Sequence, residues 1–270
     1  MDVTLVVLGV ALVAGLVGFV VSVSQAVTLD PQGSLEHRPR LRRFLRERFD
    51  RDSRRGFLVS AAFGIAFVVA LVVGLLLDMV HDGSGLAELD DDVAEWGSRQ
   101  ASSGAVDLMR HVTDLGGTPV VTAALAATAV VAYRRVRRIE PVVMLAAVGV
   151  GQLLLSNLLK IVVDRNRPDV LQLVEVASPS FPSGHSTAAA ACWAAVAFVL
   201  GHDAGRTTRA VLAAMALVIT MGVAVSRALL GVHWLTDIVA GLVLGWGWFA
   251  LVLLAFRTRE RTVSARRAAH

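Results

Sequence analysis

The chain has 270 residues, 55% of them hydrophobic, and a mean hydropathy of +0.64, which is more apolar surface than one soluble core of this length can absorb. The net charge is +4, but the basic residues stand in short blocks between apolar runs, which points to membrane topology and away from nucleic acid. A single cysteine, Cys192, excludes an intramolecular disulfide and a cysteine-based metal site, and its apolar setting makes it a packing residue.

Apolar runs lie near 3–28, 56–80, 117–133, 141–160, 186–201, 209–226 and 234–256. Most approach or exceed the roughly 18 to 20 residues that a helix needs to cross a hydrocarbon layer about 30 Å thick. The fold class expected is all-α, a polytopic membrane helical bundle. The first run, within 1–28, begins Met-Asp-Val without a positive segment and is longer than the roughly 7 to 15 apolar residues of a signal peptide, so it is expected to be a retained transmembrane helix. The loop 29–55 that follows carries nine arginines, Arg38 and Arg40 to Arg54 and Arg55, and is expected to be cytoplasmic.

Alternating from that loop puts the N-terminus outside and the other basic blocks inside: Arg134 to Arg138, Arg206 and Arg209, and the tail 257–270. Twenty basic residues then fall inside and six outside, which fixes the expected orientation, with a cytoplasmic C-terminus in a bacterial-type plasma membrane. The first outer loop is acidic. Within it Leu86, Leu89, Val93 and Trp96 recur at helical spacing, which predicts an amphipathic helix either on the outer membrane surface or packed over the bundle. Asp90, Asp91 and Asp92 read as a solvated run.

Three outer segments hold more polar chemistry than a membrane span needs. The first runs from Lys160, the only lysine beside twenty-five arginines, to Arg167 and Pro168. Pro168 ends any helix, so an ammonium and a planar guanidinium can converge as a phosphate clamp, while Arg165 is expected to face lipid headgroups. In the second, Pro182-Ser183-Gly184-His185, Ser183 is a candidate N-cap whose helix start offers free N–H groups to an anion, and Gly184 leaves room for its close approach. In the third, Ser226-Arg227 to His233 and Asp237, the two last residues lie four apart at the start of a span. That spacing lets the carboxylate accept from Nδ1–H of His233 and leaves Nε2 free to attack phosphorus.

Together these segments resemble the three motifs of the type 2 phosphatidic acid phosphatase superfamily, K-x6-R-P, P-S-G-H and S-R-x5-H-x3-D, without a substitution. The resemblance covers a six-helix phosphatase core, 56–256, to which the N-terminal helix and basic loop are an addition. It implies a membrane lipid phosphatase with an extracytoplasmic active site. His233 would form a phosphohistidine, Asp237 would orient it, and His185 would protonate the leaving alkoxide and then activate water. Lys160, Arg167, Ser183, Gly184 and Arg227 would hold the phosphate oxygens. No metal or other cofactor is expected.

The expected partners are a lipid phosphate substrate and membrane lipids, with no nucleic acid, and oligomeric state is not legible. The first substrate expected is a polyprenyl diphosphate of undecaprenyl type, with phosphatidate or phosphatidylglycerol phosphate as the alternative. A phosphotransferase shares the motifs. A transporter is a different class, disfavoured because no apolar run carries an ionisable residue near its centre, and a non-catalytic lipid-binding protein is disfavoured by the intact His185, His233 and Asp237.

Overall fold

A computed structural model describes residues 54–100, 102–168 and 178–267. The expected first span and all but the last two residues of the basic loop lie outside the described residues. Among those described, the chain is helical without strands: α1 (Arg54–Asp82), a 3-10 turn (Gly85–Leu89), α2 (Asp90–Arg99), α3 (Ser103–Asp114), α4 (Thr118–Val136), α5 (Glu140–Val163), α6 (Gly184–Leu200), α7 (Arg206–Leu229) and α8 (Leu235–Arg267). Five of these helices, α1, α4, α5, α7 and α8, are long and apolar enough to cross a membrane. The protein is a multi-pass membrane helical bundle, as its composition requires.

Val72–Phe249 form one compact unit, and the other described residues, 54–71 and 250–267, fall in a second. At the centre of the first unit is α6, which packs against α4, α5 and α7. Its sequence is alanine-rich, and Ala189, Ala190, Ala191 and Cys192 are buried. Lipid tails are as apolar as any core, so helices in a bilayer associate chiefly through close packing, and small side chains permit it. On α8 the facing residues are Gly241 and Gly245. A Cβ on Gly241 would come within 2.6 Å of the Ser183 carbonyl oxygen, and one on Gly245 within 2.4 Å of the Thr187 carbonyl oxygen, so only glycine lets α8 lie this close to α6.

With 17 residues, α6 is about 25 Å long and short of the bilayer's hydrocarbon thickness. Its irregular lead-in is nevertheless sheltered, since Phe181, Pro182 and Ser183 are buried, the one setting in which non-helical backbone is tolerated at membrane depth. Large apolar side chains face outward instead, among them Ile161 at 76% exposure and Val218 at 71%, an arrangement suited to a lipid solvent. The alternation of apolar runs did not reveal α3, because its polar residues hide the period.

The amphipathic segment around Leu89, Val93 and Trp96 is helical as expected, and of its two readings the structure supports packing over the bundle. Helix α2 packs on α7, Val93 packs against the cluster of Ala190, Ala224, Ala228, Ile238 and Leu242, and a Cβ on Gly97 would meet the Ala228 carbonyl oxygen at 2.5 Å.

Candidate active site

Four helix ends meet in the first unit: the C-terminus of α5 with Lys160, the N-terminus of α6 with His185, the C-terminus of α7 with Arg227, and the N-terminus of α8 with Asp237. Gly231, at φ +67°, makes the left-handed turn after α7 that an L-residue would resist. The chain then passes through His233 into α8. His233 therefore stands in the turn before the helix, and the expectation that it lies with Asp237 at the start of the span is corrected in that detail.

The pair still forms. Nδ1 of His233 lies 3.4 Å from Oδ2 of Asp237, and Oδ2 also accepts from the Trp234 backbone N–H at 3.1 Å. The latter bond is the return half of a capping box, a carboxylate in the first turn satisfying an N–H of the helix entry. Asp237 is fully buried and His233 only 2% exposed. Burial, then the positive charges of Arg227, Arg167 and Lys160, hold the imidazole well below its ordinary value, so it is neutral at pH 7. With Nδ1–H directed to Asp237, Nε2 carries the lone pair and accepts from Nη1 of Arg167 at 3.3 Å.

Arg167 is fixed by carbonyl groups. It donates from Nε to Ser178 at 2.8 Å, from Nη2 to Pro179 at 3.3 Å, and from Nη1 to Val232. Lys160 donates from Nζ to Pro179. Arg227, 3% exposed, donates from Nη1 to the Thr113 hydroxyl at 2.8 Å, while its buried Nε has no partner among the described residues. None of these three cations is paired with a carboxylate among the described residues. Three buried or half-buried positive charges without a counter-ion are costly, and an anion would relieve that cost.

Ser183 is the N-cap of α6, its hydroxyl accepting from the Ser186 N–H at 3.4 Å, and its own N–H donates to the Asp237 carbonyl at 3.0 Å. A Cβ on Gly184 would meet Ser156 Oγ at 3.5 Å and Lys160 Cε at 3.9 Å, ordinary contacts. The protein's own packing therefore does not demand glycine there, and an occupant between Lys160 and the α6 N-terminus would. The first turn of α6 also holds His185, which is partly exposed.

Two expectations fail. Arg165 does not face headgroups: its Nη1 donates to Asp237 Oδ1 at 2.7 Å and to Thr236 Oγ1 at 2.7 Å, and its Nη2 to Asp90 Oδ2 at 2.8 Å. Its guanidinium also lies 5.3 Å from the Trp234 ring, a cation–π distance. Nor are Asp90, Asp91 and Asp92 one solvated run, since Asp90 is 4% exposed and only Asp91 and Asp92 are exposed. The reason is tertiary, because Asp90 and Arg165 are 75 residues apart and no local pattern relates them.

Among the described residues, no group of three or more His, Cys, Asp or Glu could hold a metal ion. The family model described as the PAP2 superfamily matches residues 139–261. Phosphatidylglycerophosphatase B of Bacillus subtilis (strain 168) is 37% identical over 115 residues, 42% of this chain and 56% of that protein. A lipid A 1-phosphatase of Rhizobium etli is 37% identical over 109 residues, 37% of this chain and 43% of that protein. The chain thus spans about half the length of these curated relatives. The crystal structure of the first transmembrane PAP2 type phosphatidylglycerolphosphate phosphatase, from Bacillus subtilis, superposes with a TM-score of 0.65 at 27% identity, covering 69% of this chain and 93% of that one. With the motifs it carries and this bundle around them, the chain contains a PAP2 superfamily domain over residues 139–261.

Proposed function

We propose that this protein is a lipid phosphate phosphatase acting through a phosphohistidine, with phosphatidylglycerol phosphate as the first substrate to test. The observation that carries the reading is a neutral, buried His233 backed by Asp237 and fronted by three cations that lack a carboxylate partner among the described residues. Such a site suits a phosphate dianion and a nitrogen nucleophile.

In the first step Nε2 of His233 bonds to phosphorus and the bond to the lipid oxygen breaks, with His185 giving that oxygen a proton. Arrival of a dianion among Lys160, Arg167 and Arg227 reverses the local charge balance, which favours a protonated His185. In the second step His185 takes a proton from water, the water oxygen bonds to phosphorus, the P–N bond breaks, and inorganic phosphate leaves. The three cations and the N–H groups at the start of α6 stabilise the charge gathered on the non-bridging oxygens in both steps. Positive-inside counting favours an extracytoplasmic site, and the six-helix core 56–256 is the unit proposed to carry it.

On the sequence alone a polyprenyl diphosphate stood first and phosphatidylglycerol phosphate was the alternative. The relatives favour the alternative: one is named for phosphatidylglycerophosphate, another for lipid A 1-phosphate, and the solved structure for phosphatidylglycerolphosphate. The test is phosphate release by purified protein in mixed micelles from phosphatidylglycerol phosphate, phosphatidate and undecaprenyl diphosphate, beside His233→Ala. Fastest release from phosphatidylglycerol phosphate, absent in the variant, is expected. Faster release from undecaprenyl diphosphate would return the first substrate to the polyprenyl class, and release surviving in His233→Ala would sink the phosphohistidine.

A further inference from the structure

We propose that Asp90 is a positioning residue for the His233–Asp237 pair, acting through Arg165 and Thr236 from outside the matched domain. The inference rests on His233 being the nucleophile. Asp90 opens α2, on the segment before α3, whereas the family match begins at residue 139.

Each Asp90 oxygen is committed. Oδ1 accepts from the Thr236 backbone N–H at 2.9 Å, and Oδ2 accepts from the Thr236 hydroxyl at 2.7 Å and from Arg165 Nη2 at 2.8 Å. Thr236 is the second residue of α8, so its N–H is one of the donors that a helix leaves without an internal partner. A carboxylate from a different helix satisfies it and lies at the positive end of the α8 dipole. Asp90 thereby fixes the start of the helix that carries Asp237.

The second branch fixes the Asp237 side chain. Arg165 presents its two Nη groups to different carboxylates, Nη2 to Asp90 and Nη1 to Asp237 Oδ1. With Oδ1 held there, the other oxygen, Oδ2, is turned toward Nδ1 of His233 and the Trp234 N–H. Rotation of the carboxylate would release the imidazole. Asp90 also shares the charge of Arg165; without it the guanidinium would act on Asp237 alone and weaken that carboxylate as an acceptor from His233. The support of α2 is itself rigid, because Gly97 lies against the backbone of α7.

A misplacement of about 1 Å at a nucleophile can cost about a hundredfold in rate, so loss of this support should act on the chemical step and leave binding nearly unchanged. The experiment is rapid-quench labelling of full-length protein with radiolabelled phosphatidylglycerol phosphate in mixed micelles, stopped in alkali, where phosphohistidine survives. Wild type is compared with Asp90→Asn, Arg165→Lys and His233→Ala. For Asp90→Asn the expected result is full labelling amplitude at a rate between about ten and a hundred times slower, with KM within about threefold.

Arg165→Lys keeps the charge but cannot span two carboxylates with a planar fork. It should show the same slow labelling, which keeps the proposal testable if Asp90→Asn does not fold. Wild-type rate at reduced amplitude in both variants would mean that Asp90 only holds the fold together, and unchanged kinetics would mean that it does nothing; either overturns the proposal. Labelling that persists in His233→Ala, or its absence in wild type, overturns the nucleophile reading and this proposal with it. Loss in His233→Ala beside normal labelling in Asp90→Asn overturns this proposal alone.

Discussion

The two sides of His233 are built in opposite ways. On the Nδ1 side, Asp237 and Asp90 share Arg165, every carboxylate oxygen has a donor, and the group is closed. On the Nε2 side, Lys160, Arg167 and Arg227 hold to carbonyl groups and two hydroxyls, and among the described residues they have no carboxylate partner and one buried N–H of Arg227 is left over. A closed network maintains one geometry, whereas uncompensated charge awaits a counter-ion. The histidine stands at the boundary, hydrogen-bonded to the closed network on one side and facing the unpaired cations on the other.

If that division is right, substitutions on the two sides differ in kind as well as in size. Removing the nucleophile should be the most severe, and His233→Ala is expected to lose activity by about ten-thousandfold or more. Next come the uncompensated cations. Arg227→Ala or Lys160→Ala removes a donor that strengthens as charge develops, a change that costs about a hundredfold to a thousandfold in kcat where such donors have been removed. Thr113→Val, which takes away only the hydroxyl holding Arg227, should cost less than Arg227→Ala and act in the same direction. Steady-state kinetics on the three variants check this order. A Thr113→Val defect as large as that of Arg227→Ala would mean that the arginine's placement matters more than its charge.

Legibility in the sequence follows the same boundary. The uncompensated side was readable residue by residue, because Lys160, Arg167, Ser183, Gly184, His185 and Arg227 belong to short-range motifs at helix ends, and capping and spacing are local physics. The closed side was only half readable. The four-residue spacing found His233 and Asp237, but Asp90 looks like Asp91 and Asp92 until α2 is seated on α7, and Arg165 looks like any outer arginine until the chain turns at Asp164, whose φ is +43°. The spans were legible from hydropathy to within a few residues at most ends. Helix α3, whose polar residues Asp107, Arg110 and His111 interrupt its apolar ones, was not, although it supplies Thr113.

The same charge asymmetry has a consequence for stability. His233 is neutral when folded because burial and three nearby cations hold it well below its ordinary value, whereas in the unfolded chain it titrates near about 6.5. Below that pH the unfolded state binds a proton that the native state does not, so stability falls as pH drops, by about 1.4 kcal/mol per pH unit for one such group. Thermal unfolding in detergent between pH 7 and 5 should show this decline, and His233→Asn should show a shallower one. Parallel declines in both proteins would locate the proton uptake elsewhere.

The smallest effect expected is that of chelation. A divalent cation in a phosphatase site serves to gather carboxylates and to neutralise phosphate oxygens. Here the first task is done by Arg165, which bridges Asp90 and Asp237, and the second falls to Lys160, Arg167 and Arg227. A metal entering near His233 would have to displace Arg165 from its two carboxylates or stand beside three positive charges. Phosphate release should therefore survive EDTA with no more than a slight change, at the same KM. Complete loss restored by magnesium would mean that the metal, and not the guanidinium groups, neutralises the substrate, and the contrast between the two sides of His233 would then need to be redrawn around an ion.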